Sequence, residues 1–254
     1  MRIRFGAAVA SAAAAILVAT ASPSPSAGQS VAMRSPNVMG GWSVDPGVIQ
    51  LNFVHRFSMG DAPARKITTT PTFNVATGVT GRFLVGFVYG TNSTLVAAYP
   101  NEWEPYARAR LLTEAGGAPA DVSVQVGYNF ASESIDGELL VARSLGRLRL
   151  LVVGRAFSDA YEGSRARFAA TGGALLRLTT SISVAGDYGF LLDRKSDEPT
   201  AWSAGVQLGV PRTPHSLSVH VSNVGTASLE GSSRGTRTRF GIEYTIPITL
   251  RRLR

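Results

Sequence analysis

Apolar and polar residues alternate along most of this chain. In Arg237-Thr238-Arg239-Phe240-Gly241-Ile242-Glu243-Tyr244-Thr245-Ile246 the even positions are apolar or Thr, and the odd ones are Arg, Arg, Gly, Glu and Thr. Successive side chains of a β-strand point to opposite faces, so this stretch has one greasy and one charged face. The same pattern predicts about twelve strands, near 47–57, 67–77, 82–90, 103–112, 120–129, 136–145, 147–157, 165–178, 181–192, 200–210, 215–224 and 236–248. The stretch 67–77 is the weakest of them, because Pro71 lacks the N–H that a ladder needs. Apolar stripes run through Phe83, Val85, Phe87 and Tyr89, through Val122, Val124, Val126 and Tyr128, through Trp202, Ala204, Val206 and Leu208, and through Leu217, Val219 and Val221.

A soluble sandwich also alternates. The spacing between strands favours a barrel. Even-numbered connections are short, such as Thr80-Gly81, Gly146 and Thr179-Thr180, whereas odd-numbered ones are longer and more polar, such as Asp193-Arg194-Lys195-Ser196-Asp197-Glu198-Pro199. Short turns on one side and longer loops on the other characterise outer-membrane barrels, with both termini on the periplasmic side. Tyr89, Tyr99, Trp103, Tyr128, Tyr188, Trp202 and Tyr244 lie mostly near strand ends, where an interfacial girdle places aromatics. The expected fold is therefore all-β: a transmembrane antiparallel up-and-down β-barrel of about 12 strands with periplasmic termini.

The N-terminus directs this barrel out of the cytoplasm. Arg2 and Arg4 precede an apolar run from Phe5 to Val18, followed by Ala19-Thr20-Ala21 and a second small-residue site near Ala27. This is the layout of a secretory signal. The expected organisation is a signal peptide over 1–28, a Pro/Ser/Gly-rich lead-in over 29–46 and a barrel over 47–250. The chain has no Cys, which excludes a lipoprotein anchor, disulfides and thiolate metal sites.

The net charge of +8 is carried by Arg, with Lys only at positions 66 and 195. The arginines are spread singly along alternating strands of an exported chain, so nucleic acid is not an expected partner. The expected surroundings are outer-membrane lipid and lipopolysaccharide.

Three segments resemble an uncharacterised family of bacterial outer-membrane β-barrels. They are Asn52-Phe53-Val54-His55-Arg56-Phe57, Phe83-Leu84-Val85-Gly86-Phe87-Val88-Tyr89-Gly90, and Glu104-Pro105-Tyr106-Ala107-Arg108-Ala109-Arg110-Leu111-Leu112. The resemblance implies fold and location, and no activity.

Catalytic signals are weak. Gly231-Ser232-Ser233-Arg234-Gly235 matches a nucleophile elbow in letters, but it lies in a polar loop and no His follows it. His215 and His220 are five apart, so a strand points them to opposite faces and they cannot share an ion. No enzyme activity, cofactor or metal is expected.

The informative surface is the lumen. Alternation points Arg56, Glu104, Arg108, Arg110, Glu138, Arg149, Arg155, Arg167, Arg177, Asp187, Arg239 and Glu243 inward. Facing lipid, each charge near the bilayer midplane would cost roughly 2–4 kcal/mol. Two readings fit this list. Surplus Arg would make a small channel for anionic or polar solutes. Alternatively, Arg–acid ion pairs would pack the lumen of a non-conducting structural or interaction barrel. Arg155 and Arg167 are expected to face each other across one hairpin, where an acid such as Glu138 or an anionic ligand would separate them.

Overall fold

The computed structural model describes residues 33–163 and 165–250. The expected signal peptide lies outside them. Twelve strands follow in chain order: β1 Val48–Met59, β2 Ile67–Gly78, β3 Phe83–Gly90, β4 Glu102–Leu112, β5 Asp121–Asn129, β6 Ser134–Leu145, β7 Leu148–Phe157, β8 Arg167–Arg177, β9 Ile182–Leu191, β10 Ala201–Gly209, β11 Ser216–Ser222 and β12 Arg239–Thr249. Each strand pairs antiparallel with its sequence neighbours, and β12 returns to β1 to close the barrel. The seam is continuous from Val48 opposite Thr249 to Phe57 opposite Phe240. Closure leaves no unpaired sheet edge in the hydrocarbon, where an unmet backbone N–H or C=O costs several kcal/mol.

Pro71 does belong to a strand. Its carbonyl accepts from the Thr91 N–H just past the end of β3, so its missing donor faces a place where the ladder has already ended.

The alternation resolves as expected. Phe73, Val85, Val126, Leu139, Val152, Phe168 and Phe240 are exposed on the outside, while Asn74, Gln125, Glu138, Arg155, Thr171 and Glu243 are buried inside. The outside is a lipid-facing surface. Aromatics gather at its loop end, with the Tyr89 and Trp103 ring centroids 4.2 Å apart and those of Tyr128 and Phe130 5.0 Å apart.

Two segments that the alternation pattern leaves unplaced fill the lumen. The first is the lead-in. From residue 34 to 44 it lies inside the barrel, with Val38 and Val44 at 0% exposure and Trp42 at 8%. Val38 packs on Leu140, Ala142, Leu151 and Val153, and Met39, Trp42 and Val44 pack on Ala76, Leu84, Val88 and Tyr106. These wall residues are apolar side chains on a lumen face, and they form the seat of the lead-in. The second segment is the connection 223–238 between β11 and β12, longer than its sequence pattern indicates. Val224, Ser228, Leu229 and Glu230 are buried, and Leu229 packs with Phe157, Ala160, Ala169 and Leu191.

One glycine registers the close approach of the lead-in. A Cβ at Gly78 would overlap the Val44 carbonyl oxygen, where the lead-in crosses the end of β2. Overpacking of this kind costs about 1–3 kcal/mol. Gly78→Ala is therefore expected to raise trypsin cleavage at Arg34 roughly tenfold, while the barrel keeps its folded mobility on unheated gels. Cleavage at the parent rate would show that the lead-in is not held there.

Candidate functional site

The site is the lumen, built from the inward positions of all twelve strands and closed by the two internal segments. The arginines expected there divide into three groups.

The first group is paired with acids. Arg155 Nε donates to Glu138 Oε2 at 2.8 Å, and its Nη1 donates to the Ser232 and Ser233 hydroxyls at 2.8 and 2.9 Å. The serines of the elbow-like motif therefore anchor the 223–238 loop to a wall arginine. Arg167 donates to Glu198 at 2.6 and 2.7 Å and to Asp193 at 2.9 Å. Arg149 donates to Glu114 at 3.2 Å and Asp121 at 2.5 Å at the periplasmic mouth. Arg155 and Arg167 do not face one another. Arg155 is registered with Ala169, and Arg167 with Phe157, one inward position further along.

The second group has no ion pair among the described residues. Arg56 at 0% exposure and Arg108 at 2% are buried on the wall, as is Arg239. Arg56 reaches only neutral oxygens: Gly225 O at 3.4 Å, and Pro36 O and Asn37 Oδ1 at 3.5 Å each. Arg108 donates to Gln125 Oε1 at 3.0 Å and lies 5.2 Å from the Trp42 ring centroid. Arg239 donates to Thr236 Oγ1 at 2.5 Å and Arg237 O at 2.8 Å. The third group lies near the periplasmic end. There Arg110 donates to the Gly81 carbonyl at 3.1 Å, and Arg177 is exposed at the rim.

The acids differ more from expectation. Glu104 does not pair with Arg108 or Arg110; it accepts from the Leu229 N–H at 2.9 Å. Asp187 accepts from Asn37 N at 3.1 Å, Asn37 Nδ2 at 2.9 Å and Ser203 Oγ at 2.5 Å. Glu243 pairs with Arg34 of the lead-in and accepts from Asn52 Nδ2 at 3.0 Å. Glu102, Asp136, Glu198 and Glu230 are also buried, so the described interior holds six arginines and eight carboxylates among its buried residues. A twofold Arg surplus does not describe it. Two of the added acids, Glu102 and Asp136, sit at or beside strand ends, and the other two arrive on loops that fold inward.

Charge is unevenly placed. Glu102, Glu104, Asp136 and Glu230 repel one another in the outer half, with Arg155 as an offsetting cation. Arg34 is an electrostatic neighbour of Arg56 and Arg108, Arg56 is one of Arg239, and Arg56 and Arg34 both act on the buried His220. In the loops, the Arg167 hydrogen bond holds Glu198 down at about 2. Burial pushes Glu230 up to about 7, with the nearby Glu102 adding to the rise and Ser132, the Tyr161 N–H and Arg234 opposing it.

Two outcomes follow. Arg155→Met would leave Glu138 buried and unpaired, which costs about 3–5 kcal/mol. The urea midpoint should fall, and adding Glu138→Met should recover most of the loss; an unchanged midpoint in the single variant would refute the pairing. Glu230 binds its proton more tightly in the seated loop than in a released one. Seating is therefore complete below the ordinary carboxylate value of 4.5 and weakens as pH rises towards about 7. The protection factors of the 223–238 amides, with the intrinsic pH dependence of exchange divided out, should fall across that window, and Glu230→Gln should abolish the fall.

No protein-family model matches the chain, and no curated protein matches it. Among solved structures, it is similar to the KdgM porin, with a TM-score of 0.52 and 11% identity over 77% of this chain and 98% of that one. The KdgM porin in complex with disordered oligogalacturonate matches to the same extent. The NanC porin matches with a TM-score of 0.51 and 10% identity over 78% of this chain and 97% of that one. At these identities the likeness is one of fold, and together with the closed ladder and lipid-facing exterior it makes this chain a bacterial outer-membrane β-barrel.

Proposed function

We propose that the protein is a porin-like outer-membrane channel for small polar or anionic solutes, held closed in this arrangement by segment 33–46 and loop 223–238. The observation that carries this reading is the set of buried wall arginines without acids: Arg56, Arg108 and Arg239. A guanidinium left unpaired in a sealed interior costs several kcal/mol. A packed structural barrel has no use for three of them, whereas a path for anions does. The KdgM porin in complex with oligogalacturonate supports the reading, since galacturonate is a carboxylate and that barrel shares this fold. Both closing segments are connections rather than strands, so they can withdraw without breaking the ladder.

A second reading is favoured by the ion pairs of the outer half. Arg155–Glu138 ties β7 to β6 and Arg167–Glu198 ties the wall to a loop, as a non-conducting interaction barrel would require.

The discriminating measurement is single-channel conductance of the refolded protein in a planar bilayer under a salt gradient. Discrete steps with an anion-selective reversal potential are expected. Arg108→Ala with Arg110→Ala should reduce the anion preference at little cost in heat resistance, because neither arginine makes an ion pair among the described residues. A silent bilayer with demonstrably inserted protein would overturn the channel reading.

A further inference from the structure

We infer that Arg56 and Arg239 form an oxyanion-binding subsite in the lumen, that Pro36 and Asn37 of the lead-in occupy it in the closed arrangement, and that an anionic solute competes with the lead-in for it. The inference rests on the channel reading only for the solute's route of entry.

The argument starts from what surrounds Arg56. Its three acceptors lie at 3.4–3.5 Å, beyond the usual range for N–H···O bonds. Among the described residues its buried Nε has no hydrogen-bond partner, and neither does the buried Nε of Arg239. The two guanidiniums repel one another, and both approach Gly225 at the root of the loop. All three acceptors of Arg56 belong to the two internal segments, and none belongs to the wall. They are the oxygens that would depart if those segments moved.

A carboxylate, phosphate or sulfate group offers the same pair of guanidiniums shorter, charge-assisted bonds of about 2.7–2.9 Å. The neighbouring Asp187 carboxylate does not serve Arg56 as an ion-pair partner. It is taken up by the Asn37 backbone and side-chain N–H groups and by Ser203. His220 is another titratable wall group nearby, and its buried Nε2 has no hydrogen-bond partner among the described residues.

Asn37 makes the competition mechanical. Its Oδ1 accepts from Arg56 and from Ser222 Oγ at 2.9 Å, while its nitrogens hold Asp187. An anion on Arg56 takes the place of that amide oxygen and of the Pro36 carbonyl, which removes two of the contacts that hold the lead-in beside Val38. Binding of the anion therefore favours exposure of Val38.

The test uses the absence of Cys from the chain. In full-length, refolded Val38→Cys protein, the introduced thiol is the sole target for a water-soluble maleimide, at a position with 0% exposure. Glucuronate and inorganic phosphate are compared with chloride at equal ionic strength, so that general screening is constant. Labelling should accelerate roughly tenfold with either oxyanion, corresponding to about 1.4 kcal/mol of competition. Arg56→Gln in the same background should lose the response whatever its basal rate, and Arg239→Gln provides an independent second variant if Arg56→Gln does not refold. Acceleration by phosphate but not glucuronate would still place an oxyanion there. A rate indifferent to both anions, or an undiminished response in the Arg variants, would overturn the inference. Conductance of the same samples separates the two readings. Anion-selective steps with Val38 still protected would sink the subsite and spare the channel, whereas released Val38 in a silent bilayer would do the reverse.

Discussion

The β1–β12 seam is the constraint on which the rest of the structure depends. In hydrocarbon, every strand must find a partner on both sides, and only a closed ladder provides one for the first and last strands. Once the register between Val48 and Thr249 is set, alternation assigns each remaining side chain to lipid or lumen. Arg56, Arg108, Arg155, Glu104 and Glu138 are inside because the alternative faces lipid. The interior must then solve a problem that the exterior does not have: many charges in a narrow space.

The solution is supplied by segments that do not span the membrane. Loop 223–238 brings Ser232 and Ser233 to Arg155, and the Leu229 N–H to Glu104. The lead-in brings Arg34 to Glu243 and Asn37 to Asp187. Where these segments meet, near Arg56, they contribute only neutral oxygens. The acids of the outer half are held largely by hydroxyls and backbone N–H groups, while Arg56, Arg108 and Arg239 keep positive charge that the chain's own oxygens only partly satisfy. A conducting state needs movement of connections and no rearrangement of the wall.

Strand positions were legible in the sequence because lipid and lumen impose opposite chemistry on adjacent residues. That opposition marks β5, β10, β11 and β12 plainly. The contents of the lumen were less legible. Alternation shows which way Arg155 points but not that Ser232, 77 residues later, comes to meet it. It also treats Glu198 and Glu230 as loop acids, although both fold into buried positions. The buried lead-in left one trace. In Leu139-Leu140-Val141-Ala142 and Leu150-Leu151-Val152-Val153 both faces are apolar, which a water-filled lumen would not require of β6 and β7. The inward residues Leu140, Ala142, Leu151 and Val153 are the seat of Val38. Apolar inward positions on two adjacent strands imply an apolar occupant. The lead-in has no period of its own because its contacts are with walls on several sides, so its sequence resembles an ordinary linker.

The seam also sets an order of assembly. β1 and β12 lie nearly the whole barrel sequence apart, at opposite ends of the membrane-spanning region. Contacts of such high sequence separation are the slow ones, and no local hairpin can substitute for this one. Until the last strand arrives, the growing sheet is an open trough rather than a tube. Residues 33–46, made first, can settle sideways into that trough against β3, β4, β6 and β7 before the sheet curls shut. What looks in the finished molecule like a thread passed through a ring is then simply the first layer laid down, over which the ring is completed.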